Sequence, residues 1–336
     1  MQMEKKALAL LSGGLDSTLA VKMLLDQGIE ITALNFISPF CNCTPKKAGC
    51  QHQARKVAEE FGIPIHVIPK GMDYMRIVEN PPHGYGRGMN PCVDCRIYML
   101  KKAKEMMPAL GASFVVTGEV LGQRPMSQRR SQIELIERES GLYGLILRPL
   151  SAGHFPPTLP EIAGIVERER LLAISGRSRK GQIALARTLE VGDYPCPAGG
   201  CMLTDPVMAL RLKDLFSHTP EYTVNDLHVL KIGRHFRIHG RLKVILGRNE
   251  EENEKIALLA SHGYTLFQPE DFRGPSALVR ETDDAADETV GAIILRYSQD
   301  ERDAYMIKKQ LSGGETSFFP GGEKFPAERL ASFRLG

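Results

Sequence analysis

The sequence predicts an α/β protein: a doubly wound parallel sheet followed by a smaller α+β domain. Three observations carry this reading. From residue 6 to about 118, short apolar runs alternate with helical patterns. Strands spaced by helices imply a parallel sheet covered on both faces. The first run ends in Ser12-Gly13-Gly14-Leu15-Asp16-Ser17, a glycine turn that feeds a helix. From about residue 206 the texture changes, and glycine turns separate alternating strands.

Strands are expected over 6–11, 30–36, 64–68 and 113–117, and helices over 17–27, 51–61 and 93–108. The last helix starts behind Pro91-Cys92, where proline favours a helix start. A strand over 144–149 ends in Arg148-Pro149-Leu150, two helices follow near 160–174 and 178–189, and a Pro/Gly knot over 195–200 closes the domain. A helix over 206–216 leads to Thr219-Pro220. The expected division is 1–205, a linker over 206–224, and 225–336. In the last part, strands fill 228–248 around Gly233, Gly240 and Gly247, and a helix runs from Asn249 to about His262. Strands are expected at 276–280 and 290–296, with a short acidic loop over 282–288.

Composition is that of a soluble globular protein, with 43% hydrophobic and 25% charged residues. A net charge of +3 is too weak by itself to imply nucleic acid, so the local distribution must decide. The apolar stretch near the start is too short for a signal sequence or a membrane span, so no membrane partner and a cytoplasmic location are expected. Seven cysteines without a secretory signal argue against a disulfide framework. They cluster at Cys41, Cys43 and Cys50, at Cys92 and Cys95, and at Cys196 and Cys201, as metal ligands and redox thiols do.

The Ser12–Ser17 turn is an anion site. N–H groups of a first helical turn point at a ligand, and the helix dipole favours negative charge. Gly13 and Gly14 let phosphate oxygens come close, and Ser12 and Ser17 add hydroxyls. Asp16 cannot bind phosphate itself and is expected to act through Mg²⁺. Neither the Walker loop nor the dinucleotide fingerprint is present. On such sheets ligands sit at the carboxyl ends of strands, where Phe36, Gly118 and the loop before Cys92 also fall.

Cys92-Val93-Asp94-Cys95 can chelate a metal, form a redox pair or carry an activated thiolate. With Cys196 as a distant third ligand it suits a 4Fe–4S cluster with one open iron. Cys41, Cys43, Cys50 and His52 fit a small structural zinc site. Gln123, Ser127 and Gln128 supply neutral hydrogen-bond groups, while Arg124, Arg129 and Arg130 suit phosphate contacts. Residues 229–248 hold Lys231, Arg234, Arg237, Arg241, Lys243 and Arg248 with no acid. Alternation along a strand would put several on one face, a phosphate-binding strip for RNA.

Ser12–Ser17 resembles the pyrophosphate loop (PP-loop) of ATP pyrophosphatases, whose fold is adenine nucleotide alpha hydrolase-like. Together with Thr117–Gln128 and Leu147-Arg148-Pro149-Leu150, it makes residues 5–205 similar to the tRNA 4-thiouridine synthetases. Asn90–Cys95 resembles the tRNA 2-thiouridylases, and Cys92, Cys95 and Cys196 are similar to the trio of cluster-binding tRNA thiolases. Gly233-Arg234-His235-Phe236 and Val244–Asn253 resemble the RNA-binding domain of NFACT proteins, over 225–336. The resemblance implies ATP binding by Ser12, Gly13, Gly14, Asp16, Ser17, Phe36, Gly118 and Gln123, with Asp16, Cys95 and Cys196 catalytic. Arg124, Arg129, Arg130, Arg234, Arg237, Arg241 and Lys243 would contact tRNA.

The expected reaction adenylates a uridine carbonyl in tRNA, releases pyrophosphate and replaces the oxygen with sulfur, with 4-thiouridine ahead of 2-thiouridine. Sulfur would come from a cysteine desulfurase or free sulfide and pass through the cluster. The alternatives are a persulfide on Cys95 or Cys196, a non-catalytic RNA-binding or sulfur-relay protein, and adenylation of another molecule. The sequence leaves a homodimer open.

Overall fold

A computed structural model describes residues 3–41, 50–192, 201–260, 263–280, 284–301 and 304–336. The chain divides into two units, Met1–Thr204 and Asp205–Gly336.

The first unit runs β1 (Lys6–Leu10), α1 (Leu15–Leu25), β2 (Glu30–Ile37), α2 (Cys50–Glu60), β3 (Ile65–Pro69), α3 (Met72–Glu79) and α4 (Cys92–Leu110). It continues with β4 (Phe114–Thr117), α5 (Arg130–Ser140), β5 (Ile146–Leu147), α6 (Leu159–Ile162) and α7 (Lys180–Thr188). All five strands pair in parallel, in the order β3-β2-β1-β4-β5. The chain walks outward from β1 to β3, then returns to the other side of β1. The order therefore reverses between β1 and β4, the position at which open α/β sheets form a ligand crevice.

Both faces of this sheet are buried, so the β1 sequence is apolar throughout rather than alternating. Ala7 and Ala9 enter one core with Leu24, Val57 and Phe114. Leu8 and Leu10 enter the other with Ile97, Leu100 and Val115. A fully buried Leu such as Leu8, 0% exposed, contributes about 1.5–3 kcal/mol.

Two expectations fail here. The helix over 160–174 is reduced to α6 and a 3₁₀ turn at Arg168–Arg170, because Gly164 takes a left-handed φ of +67° just past α6. The strand over 144–149 shrinks to Ile146–Leu147 between left-handed Gly144 and Pro149. Helices α3 and α5 were not anticipated. The knot at 195–200 lies outside the described residues.

The second unit runs α8 (Pro206–His218), α9 (Val224–Val229), β6 (Arg234–Arg237), β7 (Lys243–Leu246), α10 (Glu250–Leu259), β8 (Tyr264–Pro269) and β9 (Ala277–Arg280). It ends with α11 (Asp284–Arg296), β10 (Met306–Gln310), β11 (Thr316–Pro320) and α12 (Ala327–Ser332). Its six-stranded antiparallel sheet has the order β11-β10-β8-β9-β7-β6.

The expected strand at 290–296 is helical. Val290, Ile293, Ile294 and Leu295 are all fully buried, and a short continuous apolar run has the same pattern in a buried helix as in a buried strand. The expected linker over 206–224 is also corrected. Helix α8 fills most of it and is built into the second unit: Arg211 donates to the carbonyls of Leu230 (2.7 Å) and Gly233 (3.0 Å), and Asp214 binds two cations of the β6–β7 hairpin.

Candidate active site

The crevice between β1 and β4 is lined by the loop Ser12–Ser17. Gly13 turns it with φ +74°, and a Cβ there would lie 2.6 Å from the Ala54 amide nitrogen, so only glycine fits. Gly14 caps α1 without a side-chain cap, which leaves first-turn N–H groups for a ligand. The hydroxyls organise the loop itself: Ser17 Oγ donates to the Gly14 carbonyl at 2.9 Å and lies 3.1 Å from Ser12 Oγ. The next loop closes against it. A Cβ on Gly118 would stand 2.5 Å from the Asp16 carbonyl carbon and the Ser17 nitrogen, so the chain after β4 touches the loop after β1 backbone to backbone.

Asp16 sits in the first turn of α1. Its Oδ2 accepts from Gln123 Nε2 at 2.8 Å and lies 3.5 Å from an Arg179 nitrogen. Its Oδ1 is buried with no hydrogen-bond partner. A buried carboxylate oxygen without a donor is costly, and a hard divalent cation that brings its own waters and phosphate oxygens would satisfy it. The donor set therefore fits Mg²⁺ held by Asp16. Gln123, expected to touch ATP, orients this carboxylate and is itself bonded by Gln182 at 3.3 Å.

A thiol site occupies the same edge. Lys70 follows β3, and its Nζ donates to Cys95 Sγ at 3.0 Å while lying 4.8 Å from the Tyr74 ring centroid. Burial pushes the Cys95 thiol up, but the Lys70 ammonium, the Tyr74 hydroxyl and Arg96 outweigh it and hold the thiol below its ordinary range. Cys92 is pushed up by burial and by Cys95, and Cys201 by burial to about 11. Cys95 is thus the most readily ionised thiol of the three. Cys201 lies within electrostatic range of Cys92 and Cys95. Its segment is pinned by the backbone bridge of Cys41 to Cys201 and by Met89 donating to the Leu203 carbonyl at 2.8 Å.

Between the two sites lies Arg124, whose guanidinium is pushed down by burial and by Arg96 against smaller opposing contributions from Cys92 and Asp16. Beneath them, buried Glu119 accepts from Arg148 Nε at 3.1 Å and pairs with Arg96 at 3.4 Å. These cations hold its carboxyl low against burial. Arg148, part of the sequence signature, thus braces the crevice floor.

The other expected site residues separate. Phe36 is half-buried and packs against the apolar core beside β1. Arg130 donates to the His154 carbonyl at 2.9 Å and lies 5.2 Å from the Phe155 ring, a structural position. Arg129 is exposed at the start of α5. Cys196 and Cys43 lie outside the described residues, as does the side chain of Cys50. His52 is exposed on α2 and Cys41 is half-buried. Among the described residues no three His, Cys, Asp or Glu side chains are arranged to hold a metal ion.

In the second unit the β6–β7 register splits the basic strip between faces. Phe236, Val244 and Leu246 enter the core, and Arg234 goes with them, 4.8 Å from the Tyr297 ring centroid. On the opposite face Arg237 and Lys243, cross-strand partners, converge on Asp214 at 2.7 Å each. Lys243 is a correction to the expected RNA contact: it is 8% exposed, and burial outweighs Asp214 to push its ammonium down to about 8. Arg248 is held by Glu252. Arg241 is exposed at the hairpin turn.

Residues 2–154 match the family model of the thiamine biosynthesis protein (ThiI), and residues 233–334 that of the NFACT protein RNA binding domain. The chain carries a ThiI-like PP-loop domain. A tRNA-specific 2-thiouridylase MnmA of Magnetococcus marinus is 30% identical over 149 residues, 40% of this chain and 40% of that protein. A probable tRNA sulfurtransferase of Methanosarcina acetivorans is 27% identical over 199 residues, 49% of this chain and 46% of that one. The chain therefore spans less than half the length of these two relatives. A solved complex of a 4-thiouridine synthetase with RNA and ATP covers 67% of this chain and 52% of its own, at 24% identity and a TM-score of 0.36.

Lys70, Tyr74, Arg96 and Arg179 are the residues of the ThiI-like domain's crevice that sequence reading missed, whereas Cys201 stood out through its clustering with Cys196. Of those missed, only Lys70 carried a signal, its place directly after an expected strand. No helix among the described residues is long and apolar enough to cross a membrane.

Proposed function

We propose that the chain is an ATP-dependent tRNA sulfurtransferase whose product is 4-thiouridine. The observation that carries this reading is the pairing, on one sheet edge, of a phosphate loop with a lysine-held thiolate, with Arg124 in range of both. The likeness of Thr117–Gln128 and Leu147-Arg148-Pro149-Leu150 to the tRNA 4-thiouridine synthetases supports 4-thiouridine.

The Ser12–Ser17 loop would cradle the triphosphate with backbone N–H groups. Mg²⁺ on Asp16 would supply charge neutralisation on the phosphates. The uridine O4 attacks the α-phosphorus, pyrophosphate leaves, and the oxygen becomes part of a good leaving group. Gln123 and Arg179 hold Asp16 in place, and positioning with charge neutralisation is the protein's contribution.

Sulfur would arrive as a persulfide on Cys95, whose ionised sulfur Lys70 stabilises. Its terminal sulfur attacks the activated carbon and AMP departs, leaving the base joined to Cys95 through a disulfide bond. A second thiolate attacks Cys95 Sγ, releasing the thiolated base and forming a protein disulfide that an external dithiol must reduce.

A 4Fe–4S cluster on Cys92, Cys95 and Cys196 is the rival. Its third ligand, Cys196, lies outside the described residues, and the Lys70 ammonium 3.0 Å from the Cys95 sulfur speaks for a free thiol there. The donor set favours the thiolate.

The test combines the purified chain with tRNA, ATP, Mg²⁺ and a persulfide donor. Pyrophosphate release and 4-thiouridine in the digested tRNA are expected together, and Cys95→Ser should abolish the 4-thiouridine. Pyrophosphate without any thiolated base, whatever the donor, would defeat the proposal.

A further inference from the structure

The second unit contains a cavity of about 360 Å³ that the reaction above does not use. It lies on the outer face of the β6–β7 hairpin, closed by α8, α9, β8 and β9. Arg237, Arg241, Lys243, Arg280, His218 and His235 line it.

Carboxylates fix three of the four cations. Asp214 takes Arg237 Nε and Nη2 at 2.7 and 2.8 Å and Lys243 Nζ at 2.7 Å. Asp226 takes Arg280, whose Nη2 also donates to the Glu221 carbonyl at 3.2 Å. Arg241 has no carboxylate partner among the described residues. With Glu221 on the rim, four cations meet three carboxylates, so the wall keeps a positive surplus and donors held in fixed directions.

His235 adds a different feature. Burial, with Lys243 and Arg211 nearby, keeps its imidazole neutral by pushing it well below the ordinary range. Its Nε2 bonds the Ile232 carbonyl at 2.8 Å, and its buried Nδ1 makes no hydrogen bond.

We propose that this cavity receives one unpaired nucleotide of a bound RNA, phosphate toward Arg241 and base against His218 and Pro220. The proposal rests on the reading that this unit binds RNA and names the element it takes. The volume falls within the range of small-ligand pockets, roughly 300–1,000 Å³. A duplex backbone is met by cations spread along a surface. Here they converge on one concavity, which suits a splayed nucleotide, the usual target of RNA recognition. The surplus charge attracts one phosphate, and the imidazole of His218 with the Pro220 ring on the cavity wall suits the face of a base.

The test uses the full chain with a single-stranded RNA oligomer and a blunt RNA duplex of equal length, both read by fluorescence anisotropy. Arg241→Ala is compared with Arg248→Ala, which removes the same charge outside the cavity. Wild type should prefer the single strand. Arg241→Ala should weaken that binding about tenfold and lower the salt slope by about one, while Arg248→Ala changes it by no more than about twofold. Single-stranded RNA should also shift the ¹⁵N side-chain resonances of His218 and His235, and the duplex should not. Equal losses in the two variants, or histidine resonances that stay put while RNA binds, would overturn the pocket and leave RNA binding intact. Failure of wild type to bind either RNA would overturn the RNA reading and the pocket with it.

Discussion

The two units handle charge in opposite ways. In the first, charged groups are displayed at the sheet edge: Asp16 keeps an oxygen unpaired, and Lys70 reaches a thiol. In the second, part of the basic strip turns inward, with Arg237 and Lys243 on Asp214. Topology explains the difference. A parallel sheet delivers every strand's carboxyl end to one edge, so residues that follow strands become neighbours. A hairpin alternates its side chains between faces, so a run of cations is divided and half must find partners inside. A cluster of charges in sequence is therefore weaker evidence of a surface than a charge placed at a strand end.

Asp214→Ala tests the inward half and should have the largest effect. It leaves Arg237 and Lys243 buried without their carboxylate, at a cost of about 3–5 kcal/mol to the second unit. Denaturant unfolding would measure it, and a loss under about 1 kcal/mol would mean that the pair is effectively a surface one. Asp16→Asn tests the displayed half. Pyrophosphate release should fall about 10²–10³-fold, while thermal stability holds or rises, because the substitution removes a buried charge that is only half satisfied. A drop in melting temperature would show that the carboxylate is structural. Gly118→Ala should come next. Its methyl would force the loop after β4 off the Asp16–Ser17 backbone. Displacement of about 1 Å can cost about 10²-fold in rate, read as pyrophosphate release at saturating ATP.

The sequence made the first sheet and its phosphate loop readable because their signals are local. An apolar run, two glycines and a helix start lie within residues 7–18, and Gly13 is irreplaceable for a backbone reason. Lys70, Tyr74 and Cys201 were not readable as a set. Lys70 and Tyr74 are unremarkable in their own windows, and only the packing of β3, α3, α4 and the 201–204 segment assembles them with Cys201. Asp214 was hidden in the same way, since it lies on a helix 23 residues before Arg237 and pairs across tertiary structure. The misread run at 290–296 shows the limit of periodicity, for a fully buried element has no exposed face to give it a period.

Lys70→Met is the mildest change and the sharpest for mechanism. The ammonium holds Cys95 below the ordinary thiol range against burial, so in wild type the thiolate persists as pH falls beneath that range. Removing the charge leaves burial in control, and the thiol titration moves up. Alkylation of Cys95 by iodoacetamide, followed residue by residue with mass spectrometry from about pH 5 to about pH 10, should show its midpoint move upward. Near pH 7 the alkylation rate should fall, because a smaller share of the thiol is ionised. Cys92 and Cys201, already raised by burial, should react slowly in both proteins. The same samples, prepared without oxygen, decide the rival. Iron and acid-labile sulfide that resist alkylation at Cys95 would make that sulfur a cluster ligand, and Lys70→Met would then leave its reactivity unchanged. A titration that moves with Lys70 in iron-free protein makes it the sulfur carrier.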